Sequence, residues 1–560
     1  MPRARPPARA SGTRSSWRLR SKAAPVSIKH GDVSSAPSDE SGALRYQLIA
    51  ALAAPAASCR SMSALAHRQE VEGWIPPEVA RRDGGLWLLS ATDIDRMVAS
   101  AAPPSCPQED HHADSDFSSR LVGDVLCTGR VPTISCTNGG TLPSRAVHLL
   151  RGGVACVLKG SGIFKAGVER WGDGNFLQAN LKQHGCHVLV SGPSNKARFK
   201  YWREERNPEG NDRVPGNYEF SPPVKAEHMP FATFLKRSVA STGGHRGGGG
   251  TEDTARRECV YLQEQLLGAD AQGRLVPAVP TLGRGMLEDI SQGIDTRLLA
   301  SIAQAGNFGP PSRCQLFVGA SAAAYARTVL HFDQYDNCFM QLSGRKTFLL
   351  FDPLQSGRLY PYPIHHALDR SAQVDLEAPM RDQREEFPRV AGAKGCKVTL
   401  SPGDVLVLPA YWWHEVITEP HPGASGSDEE ALTCSLNFWF SPVNKLFRPT
   451  LPLSPMLRVE LARQLEFLVC DTLHDQPELV PRFFAAFSEL VGSSASLAPD
   501  AVWAAMKASA PSGDGLGTAW VGLAEYVLAK LLHLLGAHGV EPFVRDMLDP
   551  GRFRHLKRRA

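Results

Sequence analysis

The middle of the chain is built from short apolar or alternating runs, and its last quarter carries a helical period. Residues 153–158, 187–190, 259–266, 315–318 and 433–440 are compact runs of aliphatic and aromatic residues, the pattern of buried strands. Residues 324–330 lead into 331–351, which reads as two short strands joined by a tight turn at Ser343-Gly344. Residues 401–414 open on a turn signal, Ser401-Pro-Gly403, and continue as an apolar run that brings His414 to a strand end. Helical spacing predicts a helix over 171–181 and another over 231–239, the second opened by Pro230. After Pro442 the period changes. Ser454-Pro455 is an N-cap and first-turn pair, and Leu457, Leu461, Leu465 and Leu468 follow at helical spacing. A second helix is predicted from about 478 to 491, ending at Gly492, and one more helical segment lies within 515–547. The expected class is mainly β with flanking helices and a C-terminal helical pair.

Composition narrows the partners more than the fold. The net charge is only +4, with much of the positive excess at the two ends, so a nucleic-acid partner is not expected. No apolar run approaches the ~20 residues that span a bilayer, so a membrane partner is not expected either. The twelve cysteines are scattered singly without a Cys-X-X-Cys, which argues against a zinc ribbon or redox pair and for a reducing, intracellular compartment. Residues 1–31 are rich in Arg and Ser and contain no acid. That is the composition of an organelle transit peptide or of a basic tail, so cytoplasm or nucleus and plastid or mitochondrion all stay open. Residues 72–97 look foldable but carry no readable role, and 243–250 is a glycine-rich flexible loop without the Lys-Ser/Thr ending of a phosphate loop.

The chemistry concentrates at His331 and Asp333. Residues two apart on a strand share a face, so this His and this carboxylate point the same way. They are two members of a 2-His-1-carboxylate facial triad, the Fe(II) site that keeps coordination positions open for oxygen chemistry, and His414 is the candidate third. Lys346 leads into the apolar strand 347–351, where a lysine is costly unless it meets an anion. A second His-X-Asp, His112-Ala-Asp114, sits in a polar run without strand alternation and reads as solvated loop. Strands flanking a His-X-Asp…His set suggest a double-stranded β-helix, a jelly-roll or cupin-type barrel.

The chain further resembles the JmjC-type Fe(II)/2-oxoglutarate oxygenases, and most of all their asparaginyl hydroxylases of the factor-inhibiting-HIF kind. The likeness runs from about 131 to 492. It is carried by Tyr261-Leu-Gln263, His331-Phe-Asp333, Gln341-Leu-Ser-Gly-Arg-Lys346, Leu359-Tyr-Pro-Tyr-Pro-Ile-His-His366, Asp369-Arg370, Pro402-Gly-Asp-Val-Leu406, Tyr411-Trp-Trp-His414 and Asn437-Phe-Trp439. The resemblance implies that His331, Asp333 and His414 hold iron. It implies that Lys346, Tyr261 and Thr328 take the distal carboxylate of 2-oxoglutarate, with Asn337 and Asn437 near its chelating end. Gln263, Arg370 and Trp439 would face a polypeptide substrate, ankyrin-repeat-like in the best-matching group. With O2, the reaction would release succinate and CO2 and hydroxylate a side chain. One position departs: where the asparaginyl hydroxylases carry glutamine, this chain has Ser371, too short to pair an amide bidentately.

The resulting division is 1–60 disordered or targeting, 61–130 poorly defined, 131–445 the oxygenase domain with its N-terminal extension, 446–492 a helical pair, and 493–560 a helical extension with a basic tail. The apolar face of Phe483, Phe484, Phe487 and Val491 either docks on the core or forms a homodimer through 454–491. Two other functions stay in view. One is a JmjC oxygenase with another target: lysine, methyl-lysine or a tRNA base. The other is a cupin-fold binding protein without turnover.

Overall fold

The computed structural model describes residues 121–556 apart from internal stretches, the longest being 204–219, 241–257 and 420–431. The leader, residues 72–97, the second His-X-Asp and the loops at 243–250 and 421–430 lie outside the described residues.

Nine strands form the frame: β1 Cys259–Ala269, β2 Pro311–Ala320, β3 Arg327–Phe332, β4 Asp336–Ser343, β5 Arg345–Phe351, β6 Gly395–Leu400, β7 Val405–Leu408, β8 Trp413–Glu419 and β9 Leu432–Phe440. One sheet has the order β6-β5-β8-β3, extended beyond β6 by Val125–Arg130. The other has the order β7-β4-β9-β2-β1, extended beyond β1 by Gly185–Ser191 and Lys225–Pro230 and beyond β7 by Cys156–Lys159. Pairing is antiparallel throughout the nine. The chain crosses from one sheet to the other at β2–β3, β3–β4, β4–β5, β6–β7, β7–β8 and β8–β9, which is the double-stranded β-helix.

This topology corrects the reading of 331–351. The stretch is not a strand pair but three strands: His331 is the penultimate residue of β3, Asp333 lies just past its end, and β4 and β5 stand in opposite sheets. The tight turn was real. Gly344 has φ 67°, and a Cβ there would collide with Thr433. The turn crosses the barrel rather than closing a hairpin. The first sheet also begins earlier than 131, since Val125–Arg130 already pairs with β6.

Strand alternation sorts the side chains between outward cores and the barrel interior. On β9, Cys434, Leu436, Phe438 and Phe440 point outward against helices of the N-terminal extension. Asn437 and Trp439 alternate with them and line the interior. On β5, Leu349 and Phe351 point outward to the C-terminal helices, while Lys346 and Phe348 line the interior. Both faces of β5 and β9 are thus buried, which is why these strands read as near-continuous apolar runs.

The outward core of the first sheet is completed by five helices: α1 Pro455–Thr472, α2 Leu479–Ser493, α3 Pro499–Ser509, α4 Leu516–Leu535 and α5 Ala537–Met547. The first begins as its sequence dictates, with Pro455 at N1 and the Ser454 hydroxyl accepting from Leu457 N at 3.4 Å. The single helical segment expected within 515–547 is two helices, α4 and α5, and α3 precedes them. Phe483, Phe484, Phe487 and Val491 are buried within this chain, Phe483 edge-on to Trp520 at 5.1 Å and Phe484 stacked on Phe553 at 5.7 Å. The apolar face that suggested a dimer is covered by the chain's own C-terminus. By length and composition α4 is also apolar enough to cross a membrane, contrary to the sequence reading. Its Trp520, Ala524, Val527 and Leu531 are buried in this helical cluster.

Candidate active site

The barrel interior encloses a cavity of about 320 Å³. Its lining is the inward register of successive strands: Tyr261 and Gln263 from β1, Asn337 and Phe339 from β4, Lys346 and Phe348 from β5, Asn437 and Trp439 from β9. Thr328, His331, Asp333, Arg370 and His414 complete it, so all eleven residues singled out from the sequence meet in one cavity.

At one side lies the His-Asp-His group. One ligand atom from each of His331, Asp333 and His414 lies within 4.8 Å of the others, and all three residues are buried. His331 and His414 are register partners across β3 and β8, which sets their rings 4.2 Å apart. Each imidazole is tethered through Nδ1 to a backbone carbonyl two residues earlier, His331 to Val329 O at 2.8 Å and His414 to Trp412 O at 3.0 Å. That arrangement leaves both Nε2 atoms for a metal. Burial, then the neighbouring His414, pushes His331 down to about 3, so it is a neutral imidazole at physiological pH. Two imidazoles and a carboxylate gathered in this way fit Fe(II). Arg370, with φ 76°, donates from Nη1 to Asp333 Oδ1 at 3.2 Å and steadies that carboxylate.

Lys346 lies deep in the cavity and is 1% exposed. Its ammonium donates to the Tyr261 hydroxyl at 3.0 Å and sits 5.2–5.4 Å from the ring centres of Tyr261, Phe317 and Phe339. No carboxylate pairs with it among the described residues. Burial therefore pulls its pKa down to about 7. Five atoms of cavity-lining residues are likewise buried without a partner: Asn337 Oδ1, Asn437 Oδ1, Arg313 Nε, Arg370 Nε and Trp439 Nε1. Interiors avoid such atoms, so their gathering here marks a place prepared for a polar ligand.

A family model for the cupin-like domain matches residues 149–446, more than half of the chain. This chain belongs to the cupin-like domain family. Over 120 residues, 21% of this chain and 19% of the relative, this cupin-like protein is 32% identical to lysine-specific demethylase JMJ31 of Arabidopsis thaliana. Over 112 residues, 20% and 22%, it is 32% identical to lysine-specific demethylase 8 of Xenopus tropicalis. Over 138 residues, 24% and 25%, it is 32% identical to HSPB1-associated protein 1 of Homo sapiens. The chain spans only about a fifth to a quarter of the length of these curated relatives. None of these three names an asparaginyl hydroxylase, so that finer likeness rests on the motif residues alone.

The cupin-like cavity also holds residues the sequence reading passed over. Tyr201, Trp202, Arg313 and Gln315 line it. The Tyr201 hydroxyl accepts from Gln263 Nε2 and bonds Thr328, and its ring lies 5.6 Å from that of His331. Arg313 stacks on Trp439 at 4.5 Å and on Tyr335 at 5.0 Å. Arg313, Gln315 and Phe317 alternate inward on β2, a signal that strand alternation could have delivered. Ser371 is buried, bridges His331 through the backbone, and is not among the lining residues.

Proposed function

We propose that this cupin-like protein is an Fe(II)- and 2-oxoglutarate-dependent dioxygenase that hydroxylates a polypeptide side chain, in the manner of the asparaginyl hydroxylases. The observation that carries the reading is Lys346: a buried ammonium without a counter-charge among the described residues, in the same cavity as a His-Asp-His group. A cation so placed costs several kcal/mol unless an anion arrives. A dicarboxylate supplies one at its far end and chelating oxygens at its near end.

Each residue then has a task. His331, Asp333 and His414 would hold the iron, with Arg370 orienting Asp333. When bound, the iron and O2 supply the oxidation, 2-oxoglutarate leaving as succinate and CO2 and one oxygen atom entering the substrate C–H bond. Lys346, Tyr261 and Thr328 would take the distal carboxylate, and Asn337 and Asn437 the chelating end. The rings of Phe317, Phe339 and Phe348 exclude water, which strengthens the charge pair. Gln263, Arg370 and Trp439 would meet the polypeptide.

The deciding experiment is succinate production from 2-oxoglutarate with Fe(II), wild type beside His331→Ala and Lys346→Ala, with an Asn-bearing ankyrin-type peptide added in parallel. Succinate that both variants abolish supports the oxygenase; iron binding without any turnover overturns it. The two demethylase relatives favour a second reading, removal of a methyl group from lysine. Formaldehyde release from a methyl-lysyl peptide would decide for that reading.

A further inference from the structure

Resting on the oxygenase reading above, we infer that the substrate group admitted beside the metal is anionic, a carboxylate side chain such as aspartate, and that a free or methylated lysine is rejected. The residue that sets this choice is Arg313.

Cavity charges favour an anion. Three cations line it, Arg313, Lys346 and Arg370, against one carboxylate, Asp333, among the described residues. Asp333 is already engaged by Arg370. A divalent metal and a dianionic co-substrate cancel each other, so two positive charges remain in excess when both are bound. Lys346 would be neutralised by the distal carboxylate. The excess is therefore left to Arg313, Arg370 and the metal centre, and of these side chains Arg313 alone has no carboxylate partner among the described residues.

Geometry separates Arg313 from the co-substrate. Arg313, Gln315 and Phe317 follow one another on the inward face of β2, and Phe317 is the ring beside Lys346. Four residues of strand place Arg313 roughly 13 Å farther along. There its guanidinium lies over the rings of Trp439 and Tyr335, and no carboxylate pairs with it among the described residues. Arg313 Nε, Arg370 Nε and Trp439 Nε1 are all buried donors without acceptors. An amide brings a donor as well as an acceptor and wants both answered; a carboxylate brings acceptors only. Ser371, the position that would answer an amide, does not reach the cavity lining. Unpaired donors and an unpaired guanidinium match a carboxylate, and they oppose an ammonium through like charge.

The test is binding of fluorescein-labelled peptides that differ only in their central residue (Asp, Asn, Lys or trimethyl-Lys), read by anisotropy. The full chain is used with Mn(II) and 2-oxoglutarate, so that nothing turns over. The aspartyl peptide is expected to bind roughly 10- to 100-fold tighter than the trimethyl-lysyl peptide, the worth of one charge-assisted contact. Arg313→Gln should erase most of that ratio and Arg313→Glu should reverse it, while Arg313→Lys keeps the order with a smaller ratio. Equal or tighter binding of the trimethyl-lysyl peptide by the wild type overturns the inference, as does a ratio unmoved in Arg313→Gln. An aspartyl preference in a protein that makes no succinate supports the inference and sinks the oxygenase reading alone. Succinate made without charge discrimination does the reverse.

Discussion

The helical C-terminal region and the barrel interior both bury charge, and they treat it in opposite ways. In the helices, Glu466 and Arg552 are 2% and 6% exposed and meet at 2.7 Å, and Glu466 also accepts from Ile364 N at 2.7 Å. Arg463 on α1 clamps Asp369 through two bonds of 2.7 and 3.0 Å. Each of these buried charges has its opposite. In the barrel, Lys346 is as deeply buried and has only a phenol and three ring faces. A buried charge that is paired is structure. One left unpaired in a cavity is a reserved place for a ligand, and the fold bears its cost until the ligand comes. The two regions also touch in function: Asp369, held by Arg463, is followed by Arg370, whose guanidinium reaches Asp333.

The contrast breaks most visibly at Glu466. Glu466→Ala leaves Arg552 buried without its carboxylate and takes one acceptor from the Ile364 amide. A loss of roughly 3–5 kcal/mol of unfolding free energy is expected, read from urea denaturation. A loss under about 1 kcal/mol would mean that solvent reaches the pair and that the comparison fails on its structural side.

Lys346→Met should behave in the opposite sense. Removing an unpaired buried cation is expected to raise the unfolding free energy of the ligand-free protein by about 1–4 kcal/mol. The same change should weaken 2-oxoglutarate binding by about 2–5 kcal/mol, read by calorimetry. A variant less stable than wild type would show that Lys346 is a structural residue and remove the main support for the oxygenase reading.

How much of this was visible beforehand follows the same division. His331, Asp333, His414 and Lys346 stood out because strand alternation makes a polar residue inside an apolar run conspicuous. Arg313 escaped because the strand was read from Gln315 onward, and Tyr201 and Trp202 because they follow a two-residue strand, Arg198–Phe199, too short to show a period. The helices α1 and α2 were legible from their leucine and phenylalanine spacing. Their partners were not, because periodicity says which face is apolar and never which element covers it. The pairing of Glu466 with Arg552 joins residues 86 apart in sequence, and no local pattern announces it.

The pH dependence sharpens the contrast further. Lys346 titrates near 7 in the ligand-free protein, below the ordinary 10.4 of an unfolded chain. A depressed pKa adds stability that is fully present above the unfolded value and is lost as pH falls through the folded one. Relative to Lys346→Met, ligand-free wild type should therefore gain stability between pH 7 and 10 and stay flat below 7. Binding of 2-oxoglutarate runs the other way. The bound carboxylate holds the proton on Lys346, so affinity should be flat below pH 7 and fall about tenfold per unit above it. Affinity independent of pH from 6 to 9 would show that Lys346 does not meet the ligand.

The smallest effect tests how the unpaired charge is held. Tyr261→Phe keeps the ring beneath the ammonium and removes only the hydroxyl that accepts from Lys346 at 3.0 Å. A hydrogen bond to a charged group contributes about 1.5–3 kcal/mol, but in the complex the co-substrate carboxylate takes over part of that role. A loss of only about five- to tenfold in 2-oxoglutarate affinity is expected, just below that range. Stability without ligand should fall, because the ammonium then has ring faces alone, and the pKa of Lys346 should drop further. An affinity loss as large as that of Lys346→Met would mean that the hydroxyl, not the ammonium, is the principal contact. No loss at all would mean that the carboxylate reaches Lys346 from the side away from Tyr261, with Thr328 as its only hydroxyl donor.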